Sequence, residues 1–214
     1  MNFEPTDKVK MLQDTLQRFM DEYVYPAEYK AQQQIEESGD PHHMPEALVE
    51  LKAKAKEIGL WNLFLPDERY GAGLTNTEYA PLCEIMGRSP LAPIACNCHA
   101  PDTGNMEILA EFGTEEQKER WLKPLLEGEI RSCFSMTEPE VSGADPTGLR
   151  TTAVRDGDEY VINGLKWFTS GAVGASVAIV MAVTDPDAPP YQRQSQILGP
   201  TDAPGFNLIR AVSV

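Results

Sequence analysis

The spacing of apolar residues divides the chain into a helical part and a β part. Apolar residues recur every three or four positions from Val9 to Tyr23, which is the period of one face of an α-helix. The same period predicts further helices over 45–58, 75–86, 102–112 and 114–127, and the polar, Gln-rich stretch 27–37 is expected to form an exposed helix. Residues 1–130 are therefore predicted to form an all-helical domain.

Capping residues set the ends of these predicted helices. Thr6 can cap the first helix, and Pro26 is expected to end or kink it, because proline lacks the backbone N–H that a helix interior needs. Gly59 fits the C-terminal cap of the helix at 45–58. Thr114 and Gln117 have the spacing of a capping box, in which each side chain binds the backbone amide of the other residue.

Beyond residue 130 apolar and polar residues alternate, which is typical of β-strands. Strands are predicted over 130–136, 151–155, 160–163, 177–184, 196–198 and 206–210, and 166–170 is expected to be extended. Asp156-Gly157-Asp158 predicts a hairpin turn. We therefore expect an α+β protein whose second domain, 131–214, is an antiparallel barrel-like or sandwich-like sheet. Because Val212 and Val214 begin an apolar segment without a terminating turn, this domain is expected to be truncated.

Net charge excludes two classes of partner. The 214 residues include 33 acidic and 18 basic ones, a formal charge of −15. Nucleic acids and anionic membrane surfaces bind basic patches, so neither is an expected partner. A polyanionic ligand such as a nucleotide would need local hydrogen bonds to hold it. The longest apolar run, 175–183, is too short to span a bilayer, and 1–22 has no targeting pattern, which predicts a cytoplasmic protein.

The four cysteines, Cys83, Cys96, Cys98 and Cys133, are predicted to be free thiols. Cys96 and Cys98 are too close in sequence for ordinary disulfide geometry. They also lack the spacing and the second ligand pair of a zinc site, so no metal is expected.

The segment 133–145, where the helical part gives way to strands, is the main candidate binding site. An apolar start turns into Thr-Glu-Pro and then into small, polar residues. Small residues let a ligand approach the backbone, Pro139 fixes the chain direction, and hydroxyl groups offer hydrogen bonds. Such a loop could hold a flat, polar cofactor. Taken alone, however, the segment fits an ordinary strand and turn better.

Four motifs occur in an order and spacing typical of one protein family. They are 112–118 (Phe-Gly-Thr-Glu-Glu-Gln-Lys), 136–139 (Met-Thr-Glu-Pro), 160–171 (Tyr-Val-Ile-Asn-Gly-Leu-Lys-Trp-Phe-Thr-Ser-Gly) and 204–206 (Pro-Gly-Phe). With them, essentially the whole chain resembles the acyl-CoA dehydrogenase family. The segment 100–107 and the Trp-Phe-Thr-Ser form at 167–170 are most similar to the branch that contains family members 10 and 11.

The resemblance implies an FAD enzyme that removes hydrogens from the α and β carbons of an acyl-CoA. In the family a base takes the α proton, a hydride leaves to the flavin, and the electrons pass to an electron-transferring flavoprotein. The family base is a Glu in a third, helical-bundle domain that is absent from this chain, so no catalytic residue is assigned here. Glu138 is expected to be structural rather than a substitute base. The complete protein is expected to be a homo-oligomer that acts in fatty acid metabolism.

The resemblance also implies a set of ligand contacts. The residues expected to bind FAD are Phe134, Met136, Thr137, Ser142, Gly143, Phe168, Thr169 and Ser170. Ala144 is expected on the substrate side, and it replaces a Ser of many members, which puts one hydrogen bond to the pyrophosphate or thioester in doubt. The segment after Lys166 is one residue shorter than the commonest form. Trp167 and Phe168 therefore compete for the place against the flavin ring, and Phe168 is favoured.

Two alternatives stay open at this point. An acyl-CoA oxidase or a flavin monooxygenase of the same superfamily would use oxygen as the electron acceptor. A non-catalytic fragment would bind a partner protein or nothing.

Overall fold

The structure, a computed structural model, describes residues 4–212, which fall into two compact units that divide between Phe112 and Gly113. Val214, on which the prediction of a truncated end partly rests, lies outside the described residues. Among the described residues, no helix is both long and apolar enough to cross a bilayer.

Helices joined by loops make up the described part of the first unit, which contains no strand. Its helices are α1 (Asp7–Phe19), α2 (Tyr25–Ser38), α3 (Glu46–Glu57), α4 (Asn76–Met86), α5 (Ala92–Ala95) and α6 (Asp102–Phe112). Helix α1 packs against α4, α2 against α3, and α3 against α5. The apolar faces predicted from the sequence form the core, where Leu16, Phe19, Leu82 and Met106 are almost fully buried. The predicted helical character of the N-terminal region is confirmed, whereas its predicted boundary at residue 130 stays a prediction.

Pro26 does not end the first helical segment. Helix α1 continues through a π-helical turn, Met20–Val24, directly into α2. Pro26 lies in the first turn of α2. A proline is tolerated at that position, and the wider π turn changes the hydrogen-bond register just before it. Of the two expectations for Pro26, the end of the helix is therefore wrong, and the kink stays a prediction.

The second unit begins with a short helical segment. It consists of α7 (Glu115–Gln117), a π-helical turn (Lys118–Leu122) and α8 (Lys123–Glu127). The predicted capping box is present: the Gln117 amide donates to Thr114 Oγ1 at 3.2 Å, and the Thr114 amide donates to Gln117 Oε1 at 2.9 Å. Gly128 closes α8 with a positive φ of 68°, a conformation that glycine adopts without a steric penalty.

A five-stranded sheet follows. Its strands are β1 (Ser132–Ser135), β2 (Thr152–Asp156), β3 (Glu159–Asn163), β4 (Val177–Val183) and β5 (Gln194–Pro200). The predicted hairpin joins β2 to β3, with Asp156 opposite Glu159. Strand β4 is buried along most of its length, as its apolar run predicts, and it pairs with β5 over its whole length. The other edge of β4 pairs with β1 and, at Val183, with β2.

Three details of the predicted β domain are wrong. The sheet is mixed, because β1 and β2 run parallel to β4, whereas only the hairpin pairs β2–β3 and β4–β5 are antiparallel. Within residues 4–212 it is an open sheet and does not close into a barrel. Neither 166–170 nor 206–210 is a strand. A left-handed residue, Phe168, interrupts the first segment, and the second has no pairing strand among the described residues.

Gly164 packs against a buried threonine at the end of the β2–β3 hairpin. A Cβ atom at Gly164 would lie 2.6 Å from Thr151 Cβ and 2.7 Å from Thr151 Cγ2. Thr151 is 2% exposed and cannot turn away into solvent. This close approach requires a residue without a side chain at position 164.

We expect Gly164→Ala to lower the free energy of unfolding by about 2 kcal/mol, because overpacking a buried contact forces backbone shifts. Urea unfolding followed by circular dichroism measures the change. Gly199→Ala in β5 is the matched control, because its new Cβ would meet no atom within 4 Å. Equal stabilities of the two variants would contradict the assigned contact.

Candidate functional site

Two of the sequence motifs carry most of the predicted cofactor residues, and the first of these two, 136–139, lies where the chain leaves the sheet after β1. Phe134, near the end of β1, is partly exposed, and Met136 and Thr137 are also partly exposed. Glu138, by contrast, is 4% exposed. The segment therefore offers partly accessible side chains on a backbone that is anchored through the buried Glu138.

The second of these two motifs, 160–171, is joined to the first by direct hydrogen bonds from its segment 166–170. The Trp167 amide donates to the Thr137 carbonyl at 3.1 Å. Lys166 Nζ donates to the Met136 carbonyl at 2.8 Å. Two segments that lie about 30 residues apart in the sequence thus become neighbours, which places several of the predicted cofactor residues in one region.

The carboxylate of Glu138 accepts three hydrogen bonds. Its Oε1 accepts from Lys166 Nζ at 2.8 Å and from the Thr151 amide at 2.9 Å, and its Oε2 accepts from the Arg150 amide at 2.7 Å. The Lys166 side chain is itself 11% exposed. The prediction that Glu138 has a structural role accords with these contacts.

These contacts decide the charge state of Glu138. Burial opposes ionisation of the carboxyl group, but the hydrogen bonds from Lys166 and from the two backbone amides outweigh it and lower the pKa of Glu138 to about 2. Burial also lowers the pKa of Lys166, although the hydrogen bond to Glu138 and its charge oppose that shift. The charged form of Glu138 is stabilised more strongly than that of Lys166, because Glu138 accepts hydrogen bonds from two backbone amides in addition to the one from the lysine.

Thr137 and Gly143 lie in contact. A Cβ atom at Gly143 would lie 3.0 Å from Thr137 Cγ2, so the loop after Pro139 folds back onto the threonine. Within residues 4–212 the Thr137 hydroxyl has no hydrogen-bond partner in the protein. It is therefore available to a ligand.

The rest of that loop is held by its own contacts. The Asp145 amide donates to the Ser142 carbonyl at 3.3 Å. The Asp145 carboxylate accepts from the Thr147 amide at 3.0 Å and from its hydroxyl at 2.6 Å. Ser142 and Ala144 are exposed, and no hydrogen bond in the described part of the chain joins either to the segment 166–170. The structure thus brings Thr137 and Gly143 together, whereas Ser142 and Ala144 are exposed and are not hydrogen-bonded to the segment 166–170.

Phe168 is held in an unusual backbone conformation. Its φ is 49°, in the left-handed region that bulky residues avoid. Its ring is 53% exposed and packs edge-on against Trp167, with 4.8 Å between the ring centroids. Such local strain is concentrated at ligand sites, where the surrounding structure enforces it. The Phe168 ring is therefore exposed to solvent, and the backbone of this residue has a conformation that is unfavourable for phenylalanine.

Thr169 and Ser170 follow in a turn. The Ala172 amide donates to the Thr169 carbonyl at 3.2 Å, and Ala172 packs against a small core formed by Cys133, Ala178 and Val180. Neither hydroxyl, of Thr169 or of Ser170, has a protein partner in the part of the chain that the structure describes. Both are thus free to bind a ligand.

Sequence reasoning missed the role of Lys166. It lies in the second motif but was assigned no function there, although a lysine directly before Trp-Phe is a visible signal. An ammonium group in an apolar segment has to find an acceptor. Its partners, Met136 and Glu138, belong to the other motif, and only the folded chain shows that pairing.

Comparisons with known proteins place this chain in a family. The model of the acyl-CoA dehydrogenase N-terminal domain matches residues 6–129, and that of the middle domain matches 133–213. Acyl-CoA dehydrogenase family member 10 from Mus musculus is 50% identical over 96% of this chain. A solved Mycobacterium abscessus structure proposed to be an acyl-CoA dehydrogenase is 48% identical over 94% of the chain, with a TM-score of 0.89.

A third comparison includes a bound cofactor. Glutaryl-CoA dehydrogenase from Mycobacterium smegmatis, solved in complex with FADH2, is 28% identical over 94% of this chain, with a TM-score of 0.70. The chain spans only part of each relative: 20% of the mouse protein, 52% of the M. abscessus chain and 47% of the M. smegmatis chain.

The fold is that of the helical and β domains of a flavoprotein dehydrogenase. The chain belongs to the acyl-CoA dehydrogenase family, and the resemblance to the branch of members 10 and 11 is confirmed.

We expect Phe168→Asn to leave the stability of the ligand-free chain unchanged or to raise it by up to about 1 kcal/mol, because asparagine tolerates the left-handed conformation. Urea unfolding measures the change. Tyr160→Asn, at a similarly exposed aromatic residue of β3, is the control and should be destabilising. A clear loss of stability in Phe168→Asn would contradict this prediction, because it would show that packing of the ring stabilises the ligand-free chain.

Protonation of Glu138 is expected to lower the stability of the folded chain as the pH falls. Because its pKa in the folded chain lies below the ordinary value of 4.5, its stabilisation is complete above pH 4.5 and is lost as the pH falls towards 2. We expect Glu138→Gln to reduce the free energy of unfolding at pH 7 by on the order of 2 kcal/mol, once partial screening by solvent is allowed for.

Urea unfolding of the original chain and of Glu138→Gln at pH 7 and pH 3 measures this difference, which should shrink at the lower pH. Glu140→Gln is the control, because Glu140 is exposed and, within residues 4–212, pairs only with the exposed Arg150 side chain. A difference that stays the same at both pH values would contradict the assigned protonation.

Proposed function

We propose that this chain forms the FAD-facing part of an acyl-CoA dehydrogenase, which carries out α,β-dehydrogenation of an acyl-CoA thioester. One observation carries the proposal: two motifs far apart in sequence meet, and they carry both an exposed aromatic ring on a strained backbone and hydroxyls that have no partner within residues 4–212. The family membership and the FADH2 in the M. smegmatis relative support it.

The residues present fit a flavin. A flavin ring has apolar faces and a polar edge, so it needs aromatic or aliphatic contacts together with hydrogen-bond donors. Phe168, Phe134 and Met136 supply apolar surface. Thr137, Thr169 and Ser170 supply hydroxyl groups that have no other partner among the described residues. The contact between Gly143 and Thr137 leaves no room for a side chain that would cover the threonine.

Each group has a distinct role in this proposal. FAD, when bound, supplies the acceptor for the hydride that leaves the β carbon of the substrate. The Thr137 hydroxyl donates a hydrogen bond to the polar edge of the ring, where a fixed donor stabilises negative charge. The Phe168 ring covers an apolar face and excludes water. Thr169 and Ser170 bind near the same ring, and Ser142 and Gly143 face the pyrophosphate.

Glu138 is unsuited to abstract the substrate α proton. Its carboxylate is buried and accepts three hydrogen bonds, and its pKa of about 2 makes it a weak base. The base therefore comes from a group other than Glu138. This accords with the family pattern, in which a Glu of a third domain takes the proton.

The remaining partners follow from the same family assignment. Ala144 lies on the acyl-CoA side of the site, where its methyl group cannot donate the hydrogen bond that a serine would supply. An electron-transferring flavoprotein takes up the electrons, and the complete protein is a homo-oligomer of the cytoplasm that acts on fatty acyl thioesters.

Titration of the purified chain with FAD, followed by flavin fluorescence, tests the proposal. We expect saturable binding, and we expect Thr137→Ala to raise the Kd about 3- to 10-fold, because one neutral hydrogen bond is lost. Thr152→Ala, at an exposed residue of β2, is the matched control and should bind as the original chain does. A chain that binds no FAD, or a Thr137→Ala variant with an unchanged Kd, would count against the assigned site.

A further inference from the structure

We propose that Glu138 and Lys166 are positioning residues of the cofactor site: the buried ion pair sets the distance between the segment that presents Thr137 and the segment that presents Phe168. The inference rests on the function proposed above and deepens it, because neither residue is assigned a contact with the cofactor.

The ion pair joins three stretches of backbone. Lys166 Nζ lies 2.8 Å from both Glu138 Oε1 and the Met136 carbonyl oxygen. Glu138 in turn accepts from the amides of Arg150 and Thr151, which lead into β2. One pair of side chains therefore holds together the motif after β1, the motif after β3 and the start of the β2–β3 hairpin.

The points of attachment flank the groups that face the cofactor. Met136 and Glu138 are the two neighbours of Thr137, and both are bound by the Lys166 ammonium. The next residue, Trp167, donates its amide to the Thr137 carbonyl at 3.1 Å. Thr137 is thus fixed through its backbone and through both neighbours, while its hydroxyl stays free. Phe168 follows immediately after this anchored dipeptide.

An energetic argument separates positioning from simple stabilisation. Burial of an ion pair costs desolvation energy that the attraction between the charges only partly offsets. The shift in the pKa of Lys166 shows this cost, because burial lowers it despite the neighbouring carboxylate. A buried pair whose net contribution to stability is small still fixes geometry, because moving or removing one partner leaves the other charge buried and unpaired, which is costly. Among the described residues, the hydrogen bonds of the Lys166 side chain join the segment 166–170 to the segment 136–139, and these are the two segments proposed to face the ligand.

The test uses FAD binding to the 214-residue chain and stability of the FAD-free chain as separate readouts. Lys166→Met removes both bonds from Nζ, and Glu138→Gln removes the charge. We expect each variant to raise the Kd for FAD about tenfold or more, and to shift the visible absorption bands of the bound flavin. The double variant should bind no more weakly than the weaker single variant, because both changes break one unit.

Two controls carry the same changes of charge at exposed sites. Glu140→Gln lies two residues beyond Glu138, and its carboxylate is 74% exposed. Lys123→Met removes an ammonium group that is 60% exposed. Both should bind FAD as the original chain does. If Lys166→Met does not fold, Lys166→Gln keeps one donor without the charge, and its Kd for FAD should still rise.

The possible outcomes separate this inference from the proposed function. If the original chain binds no FAD, the proposed function fails, and this inference fails with it. If the original chain binds FAD and the pair variants lose stability but keep its Kd and spectrum, the pair only stabilises the fold, and the inference alone is overturned. A weakened Kd that is equal in the controls would show an effect of net charge and would also overturn it.

Discussion

The candidate site depends on the hydrogen bonds that the buried carboxylate of Glu138 accepts. A carboxylate that is 4% exposed needs donors in the protein, because water no longer solvates it. It finds them in Lys166 and in the two amides that lead into β2. That requirement draws three sequence segments to one place. The same donors hold the carboxylate ionised, which makes Glu138 an anchor and disqualifies it as a proton acceptor.

The sheet supplies the frame in which those segments can meet. Strand β4 pairs with β5 along one edge and with β1 and β2 along the other. Because β1 and β2 lie on the same edge of β4, the loop after β1 and the start of β2 come close together. The close packing of Gly164 on Thr151 then brings the end of β3, and the motif that follows it, to the same region. The site is a consequence of strand order as much as of its own residues.

Sequence patterns predicted what local physics determines. The capping box at Thr114 and the hairpin between β2 and β3 depend on residues a few positions apart, and both are confirmed. The parallel pairing of β1 with β4 joins strands separated by about 40 residues, and no local signal encodes it. The same limit applies to the site. The motifs identified Thr137 and Phe168 as candidates, but the lysine that links them was visible only as a charge in an apolar segment.

The paired charges of this region limit how a protein of net charge −15 could hold the anionic cofactor that we propose. Lys166 is matched by Glu138, and the Arg150 side chain is matched by Glu140, so neither cation is left over to attract a phosphate. What the site offers instead are hydroxyl groups and an aromatic face. Under the proposed function, neutral donors bind the polar edge of the flavin ring without requiring the overall field to favour binding. In the proposed site, the buried ion pair contributes geometry and the groups around it contribute recognition.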